Sequence, residues 1–290
     1  MERTPCEACE GQVWTTLFEK AGHPFVRCAG CGLERIDPQP DDDTLARIYG
    51  EHYYDAWDLK DGRQLVREMK KATFRRTLSG VGALRPGARI LDCGAATGFL
   101  MEVAEEAGFD PFGIELSAFG AGEIAKRFGA DHVFQGQVED AHFPGLGEGA
   151  FDAIFMCDFL EHVRHPRRVL EKARRLLAPG GTVAICAPNL GSWSHRLMRA
   201  GWTHYKLEHL YYFNSEALRR LLARAGFTDY REALPWKTMS FRYVRDQFLA
   251  FPNAVVGSAL QAMARVLPES IQRARFPVLM GEMLAYARRG

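Results

Sequence analysis

The stretch LDCGAATGFL, residues 91–100, is the strongest constraint on how this 290-residue chain can fold. A short apolar run with strand character enters a glycine-rich turn and leaves as a helix. Phe99, Leu100, Val103, Ala104 and Ala107 then recur at helical spacing until Gly108. Such a junction forms at the carboxyl end of a strand in an open α/β sheet. ARILDC supplies that first strand, and the chain beyond it keeps the alternation. DPFGIE, DHVFQG, FDAIFMCD, GTVAICAPN, TDYREALP and MLAYARR read as six more strands. SAFGAGEIAKRFG, PRRVLEKARRLL and SEALRRLLARAGF read as helices between them, the last with Ser215 as its N-cap. The expected fold class is α/β, a doubly wound, seven-stranded, mostly parallel sheet with helices on both faces.

The spacing inside the turn decides what it could bind. Gly94-Ala95-Ala96-Thr97-Gly98 lacks the middle glycine that lets a pyrophosphate approach the backbone in Gly-x-Gly-x-x-Gly. Asp92 at the strand end would repel phosphate, yet it suits a sulfonium and an amino group. Glu115 follows Gly94 by twenty-one residues, where it can accept both hydroxyls of a ribose. An adenosyl group with a cationic tail is S-adenosylmethionine.

Taken in order, LDCGAATG, GIELS, GQVED, FDAIFMCDFLEHV and LLAPGGTVAICAPN resemble a class I S-adenosylmethionine-dependent methyltransferase of the ubiquinone-biosynthesis-like group. The resemblance covers roughly residues 85–235 and implies a Rossmann-like core. It also implies that Asp92, Cys93, Gly94, Ala95 and Gly98 line the methionine part of the cofactor. Glu115 and Leu116 would hold the ribose, Gln137 and Val138 flank adenine, and Cys157 and Asp158 close the pocket. Many relatives have Asp where this chain has Gln137, and a glutamine carbonyl can accept the same bond from the adenine amino group. His162 matches the group's Glu-His pair, which often helps shape the active site.

Seven cysteines are distributed unevenly. Cys93, Cys157 and Cys186 stand alone in apolar runs, whereas Cys6, Cys9, Cys28 and Cys31 form two Cys-x-x-Cys pairs eighteen residues apart. That is the spacing of a structural tetrahedral zinc site, with each pair on a tight turn. Redox-active or unligated thiols are the alternatives. A four-cysteine ribbon followed by CGLERIDPQPDDDTLARIYGEHYYDAW resembles a subgroup of these methyltransferases that often act on sugars, lipids, quinones or other small metabolites. Tyr53 or Tyr54 could fold over the cofactor or pack a helix onto the core. A ribbon gripping RNA would be basic, but residues 1–40 carry four Lys/Arg against six Asp/Glu. Nucleic acid is therefore disfavoured as a partner. The polar start MERTPCEACE lacks a secretory apolar core, so a cytoplasmic chain is expected.

The expected organisation is a zinc ribbon at 1–40, a helical linker or cap at 41–84, and a methyltransferase domain at 85–290 with acceptor-side insertions at 190–213 and 237–279. Methyl transfer needs a nucleophile held in line and, for some acceptors, a base. His162 and His209 are the candidates. His195, His204, Tyr205, Tyr211 and Tyr212 lie near His209 among tryptophans, a composition suited to an aromatic-walled acceptor pocket. Residues 240–290 hold seven arginines and three acids, so a helix within 240–275 could rest on an anionic membrane; a lid or a dimer contact is the other reading. A small-molecule methyltransferase leads, ahead of an RNA methyltransferase and a non-catalytic binding module.

Overall fold

The computed structural model describes residues 3–48, 63–250 and 254–290. Tyr53 and Tyr54 lie outside these, as does part of the 240–275 segment. The chain opens with three strands, β1 (Trp14–Lys20), β2 (His23–Cys28) and β3 (Glu34–Ile36), then helices α1 (Asp42–Ile48) and α2 (Arg63–Ser79). The core follows as β4 (Arg89–Cys93), α3 (Phe99–Glu106), β5 (Asp110–Glu115), α4 (Ala118–Phe128), β6 (Val133–Gln135), β7 (Phe151–Cys157), α5 (Pro166–Leu176) and β8 (Leu177–Pro188). Next come α6 (Trp193–Met198), β9 (Tyr211–Tyr212), α7 (Ser215–Arg224), β10 (Phe227–Ala233), β11 (Lys237–Ser240), α8 (Phe241–Ala250), α9 (Ala254–Val266), α10 (Glu269–Arg273), β12 (Arg275–Val278) and β13 (Glu282–Arg289).

Seven strands form one sheet in the order β10-β13-β8-β7-β4-β5-β6. β13 runs antiparallel to both neighbours, and the other pairings are parallel. The fold is the Rossmann-like α/β architecture expected from the sequence. Alternate residues serve opposite faces, as the two-residue strand period requires. Ile90, Ala153, Phe155, Ala184 and Tyr286 pack with Leu100 and Val103 of α3 and Leu78 of α2. Leu91, Ile154, Met156, Val183 and Ile185 pack against Val169 and Leu170 of α5 and Leu218 and Leu221 of α7. α2 is held to α3 by charge as well: buried Glu102 receives Arg67 at 2.6 Å and Lys71 at 3.1 Å.

The amino-terminal ribbon is not a free-standing knuckle. Its sheet has the order β1-β2-β3-β9, so its fourth strand comes from the long connection after β8. Cys6, Ala8, Cys28, Cys31 and Leu33 are continuous with the core on the α5 and α7 face. The aromatics between α6 and α7 have a different use from the one expected. Trp202, Tyr205 and Tyr212 are fully or almost fully buried with Phe25, Ile36 and Leu190. They seal the ribbon onto the core instead of walling a pocket: β3 pairs with Tyr212 in β9, Tyr205 donates to Glu34, and Trp202 donates to Ser194.

A second correction concerns α7, whose N-cap is Asn214 and not Ser215. The Asn214 side chain accepts from Ala217 N at 2.8 Å, and its amide donates to Cys31 O at 3.1 Å. One residue thus caps a helix and ties down a cysteine turn. Asn214→Ala should lower the unfolding free energy by about 1–2 kcal/mol, measured by urea denaturation.

Candidate active site

The turn after β4 is shaped by close approach. Gly94 has φ 76°, and a Cβ there would lie 2.7 Å from Cδ2 of Phe159. Gly120, at the start of α4, comes so near that a Cβ would meet the Ala96 carbonyl oxygen at 2.5 Å. The first contact packs the β4–α3 turn against the turn after β7, and the second holds it flat against the β5–α4 turn. Glu115 joins them, one carboxylate oxygen accepting from Ala96 N and the other from Ser117 N, each at 2.8 Å. Gly94 and Ala96 remain exposed while Asp92, Cys93 and Ala95 are buried, which leaves bare backbone facing the carboxyl edge of the sheet.

The electrostatics of this cradle favour a cation. Burial, and behind it the charge of Glu115, pushes the Asp92 carboxyl well above its ordinary range. A positive group drawn into the turn would offset that penalty. Leu116 is 64% exposed beside Glu115, and Gln137 is exposed ahead of buried Val138. Their neighbouring strands pair in register, Glu115 opposite Gln135. The residues expected to hold the cofactor lie at the ends of β4, β5 and β7 and in the turns after β4, β5 and β6, four strands that are neighbours in the sheet, with Gly94, Leu116 and Gln137 exposed and Asp92, Cys93, Ala95, Gly98 and Val138 buried.

On the other side of β4 lies a cluster of titratable groups. Cys157 ends β7, and Asp158 has the left-handed φ of 52°. Burial acts to raise the Asp158 carboxyl, but Lys237 and Lys70 hold it at about 2. Lys237 Nζ reaches Asp158 at 3.2 Å and Glu282 at 2.8 Å, and His204 lies 3.9 Å from Glu282. The turn Leu160–His162 then places Glu161 and His162 beside His209, with the two imidazoles edge to face at 4.6 Å between centroids. Ligand atoms of Glu161, His162 and His209 all lie within 4.8 Å of one another. Two imidazoles and a carboxylate so close could share a proton or hold one divalent cation.

Burial neutralises this cluster. It holds the His162 imidazole down at about 4 and the His209 imidazole well below its usual range, and it drives the Glu161 carboxyl well above. Both histidines are thus free bases near neutrality. Glu161 Oε2, His209 Nδ1 and Glu282 Oε2 are buried without a hydrogen-bond partner among the described residues. Buried polar atoms in that state point to a site that receives an outside molecule.

The structure brings together His162 and His209, which are 47 positions apart in the chain. Lys70, Lys237 and Glu282 escaped the sequence analysis, since each sits in an element with no local motif and reaches the cluster only through packing. The four cysteine sulfurs also converge, with Cys6 and Cys31 at 3.6 Å and Cys9 and Cys28 at 3.5 Å. A tetrahedron of thiolates about a zinc ion has edges of roughly 3.8 Å, so the donor set fits.

A family profile described as methyltransferase domain matches residues 62–232. A demethylmenaquinone methyltransferase of Renibacterium salmoninarum is 25% identical over 204 residues, covering 65% of this chain and 82% of its own length. A ubiquinone biosynthesis O-methyltransferase of Methylococcus capsulatus is 32% identical over 153 residues, covering 49% of this chain and 60% of its own length. One from Caulobacter is 30% identical over 131 residues, covering 43% of this chain, so the chain spans only half of that relative. Among solved structures, a SAM-dependent methyltransferase of Archaeoglobus fulgidus aligns over 86% of this chain and 100% of its own with a TM-score of 0.52 at 17% identity.

Replacing Glu115 with alanine should weaken S-adenosylhomocysteine binding by about tenfold or more in calorimetry while the domain stays folded; unchanged affinity would reject the ribose role. A second expectation concerns pH. Because the folded His162 titrates below its unfolded value, its contribution to stability is present above about 6.5 and is lost as pH falls toward about 4. His162→Gln should therefore flatten the dependence of unfolding free energy on pH between 7 and about 4.5, by up to roughly 3 kcal/mol.

Proposed function

The chain belongs to the methyltransferase-domain family, and we propose that this S-adenosylmethionine-dependent methyltransferase alkylates a hydroxyl oxygen of a small-molecule acceptor bound over His162 and His209. The observation carrying the proposal is the pair of buried, uncharged imidazoles at the carboxyl edge of β7, across β4 from the cofactor turn. A hydroxyl becomes a competent nucleophile only as its proton departs, and an uncharged imidazole within reach accepts it. The relatives named as ubiquinone biosynthesis O-methyltransferases support an oxygen nucleophile; a sugar or glycan, a lipid or a quinone precursor fits the same chemistry.

Bound S-adenosylmethionine supplies a methyl group on an electron-poor sulfonium. The protein's own part is positional and electrostatic. Asp92 faces the cationic end, Glu115 accepts ribose hydroxyls, and Gln137 and Val138 flank the base. Cys157 and Asp158 separate the cofactor edge from the acceptor. His209 takes the acceptor proton, and His162, stacked edge-on against it, keeps it in place. Glu161 and Glu282 offer their unpartnered oxygens to acceptor hydroxyls.

Residues 237–279 are proposed as a wall or lid over this pocket. β11 pairs with β12 and lies on α2, where Thr238 N donates to Thr73 Oγ1 at 2.9 Å, so that Lys237 enters the site. Among the described residues no helix is long and apolar enough to cross a membrane. Peripheral contact through 240–275 stays a separate proposal.

Zinc is proposed at Cys6, Cys9, Cys28 and Cys31 on the strength of the sulfur geometry. Metal analysis of purified protein should give close to one ion per chain, and a folded, metal-free protein would overturn the assignment. The activity is tested with radiolabelled S-adenosylmethionine and three acceptor classes: a catechol quinone precursor, a nucleotide-linked hexose and lipid vesicles. Label should enter a hydroxyl-bearing acceptor, with kcat falling by about a hundredfold or more in His209→Ala at unchanged cofactor affinity. Label in RNA would favour the nucleic-acid reading, and cofactor binding without transfer to any class the non-catalytic one.

A further inference from the structure

Glu34, on β3 of the ribbon, is fully buried and takes no part in the chemistry above. Its Oε1 accepts from Arg27 Nε at 2.8 Å and Nη2 at 2.6 Å, and its Oε2 accepts from the Tyr205 hydroxyl at 2.5 Å. A buried carboxylate is costly, and an apolar residue would seal this interface with less penalty. What the carboxylate adds is direction: it fixes where one hydroxyl, at one end of one loop, must lie.

That loop carries His209. At its start, Tyr205 is gripped three ways by the ribbon: its hydroxyl by Glu34, its carbonyl by Lys20 Nζ at 2.7 Å, and its ring edge-on by Phe18 and Phe25 at 4.9 and 5.3 Å. At its end, Arg35 and Glu34 pair with Tyr211 and Tyr212. Between them, Leu210 is bonded on both sides. Its carbonyl accepts from Ile36 N at 3.1 Å, and its N–H donates to Glu161 O at 2.8 Å. The Tyr212 hydroxyl donates to Lys206 O at 2.8 Å and closes the loop on itself. Both ends therefore rest on the ribbon, and His209 between them stands against His162.

We propose that Glu34 and Tyr205 are positioning residues through which the cysteine ribbon holds the 205–212 loop, and with it His209, over His162 and Glu161. The ribbon thus sets the acceptor pocket without touching the cofactor turn. The functional meaning rests on the acceptor reading above; the geometry does not.

The test uses full-length, metal-loaded protein carrying Tyr205→Phe, which keeps the ring and removes the hydroxyl, or Lys20→Ala, which removes an exposed contact. Amide hydrogen exchange at 209–212 should quicken by about tenfold in the first variant and by less in the second. The ring nitrogen signals of His209 and His162 should move in NMR spectra while those of His132 and His142 stay. S-adenosylhomocysteine affinity should remain within about twofold. A folded Tyr205→Phe protein with wild-type exchange and wild-type His209 signals would overturn the proposal. Should that variant not fold, Lys20→Ala decides by the same two readouts. Failure of wild-type protein to bind S-adenosylhomocysteine would reject the methyltransferase reading alone, since the exchange measurement needs no ligand.

Discussion

The reversal of strand order at β4 is the constraint on which the rest depends. From β4 the chain builds outward through β5 and β6, then returns to β7 on the opposite side and continues to β8. The connections leaving β4 and β7 run to opposite sides of the sheet there, the point at the carboxyl edge where open α/β sheets bind ligands, and Phe159 after β7 packs against Gly94. Everything chemical gathers along that edge. Asp92 and Glu115 stand on one side, Asp158, Glu161 and His162 on the other. β13 enters between β8 and β10 in the antiparallel sense, so its first residue, Glu282, arrives at the same edge, opposite Pro188.

That edge is built at a cost to stability. Asp92, Glu161 and Glu282 are acids in buried positions, and His162 and His209 are bases kept uncharged by burial. Each is less stable there than in water unless a partner is supplied. Lys237 partners two acids, so an element from the last fifth of the chain supplies their counter-charge. The apolar layers on both sheet faces, buried almost completely, supply the stabilisation that tolerates this strain.

The ribbon enters this arrangement as part of the scaffold. A sheet of three short strands has an open edge, and β9 covers it, so the connection after β8 is fastened at residues 210–212. Cys31 is bound by the cap of α7 and Leu210 by the turn after β7. The cysteine site and the histidine pair thus lie at two ends of one hydrogen-bonded assembly.

Features that depend on local backbone chemistry were legible in the sequence. The glycine turn was, because positive φ and close approach demand glycine at Gly94. So was the place of Glu115 at the end of β5 beside that turn, where it accepts from Ala96 N, because a strand end sits at a set distance from the turn. The cysteine pairs were legible because two Cys-x-x-Cys turns are the spacing that lets four sulfurs converge, as they do. The strands showed themselves because a doubly covered sheet needs apolar runs. The aromatic segment misled, since composition reports that Trp202, Tyr205 and Tyr212 are sticky but not which surface they meet. Ser215 and Asn214 are both good caps, and only the bond to Cys31 separates them. Lys70, Lys237, Glu282 and Glu34 have no motif, for their surroundings come from residues far along the chain. The sequence by itself determined the fold class, the glycine turn after β4 and the convergence of the four cysteines, all governed by short-range geometry. The cluster of Glu161, His162 and His209, and the ribbon strand paired with β9, were decided only by tertiary structure, because burial and charge pairing exist only after distant segments pack.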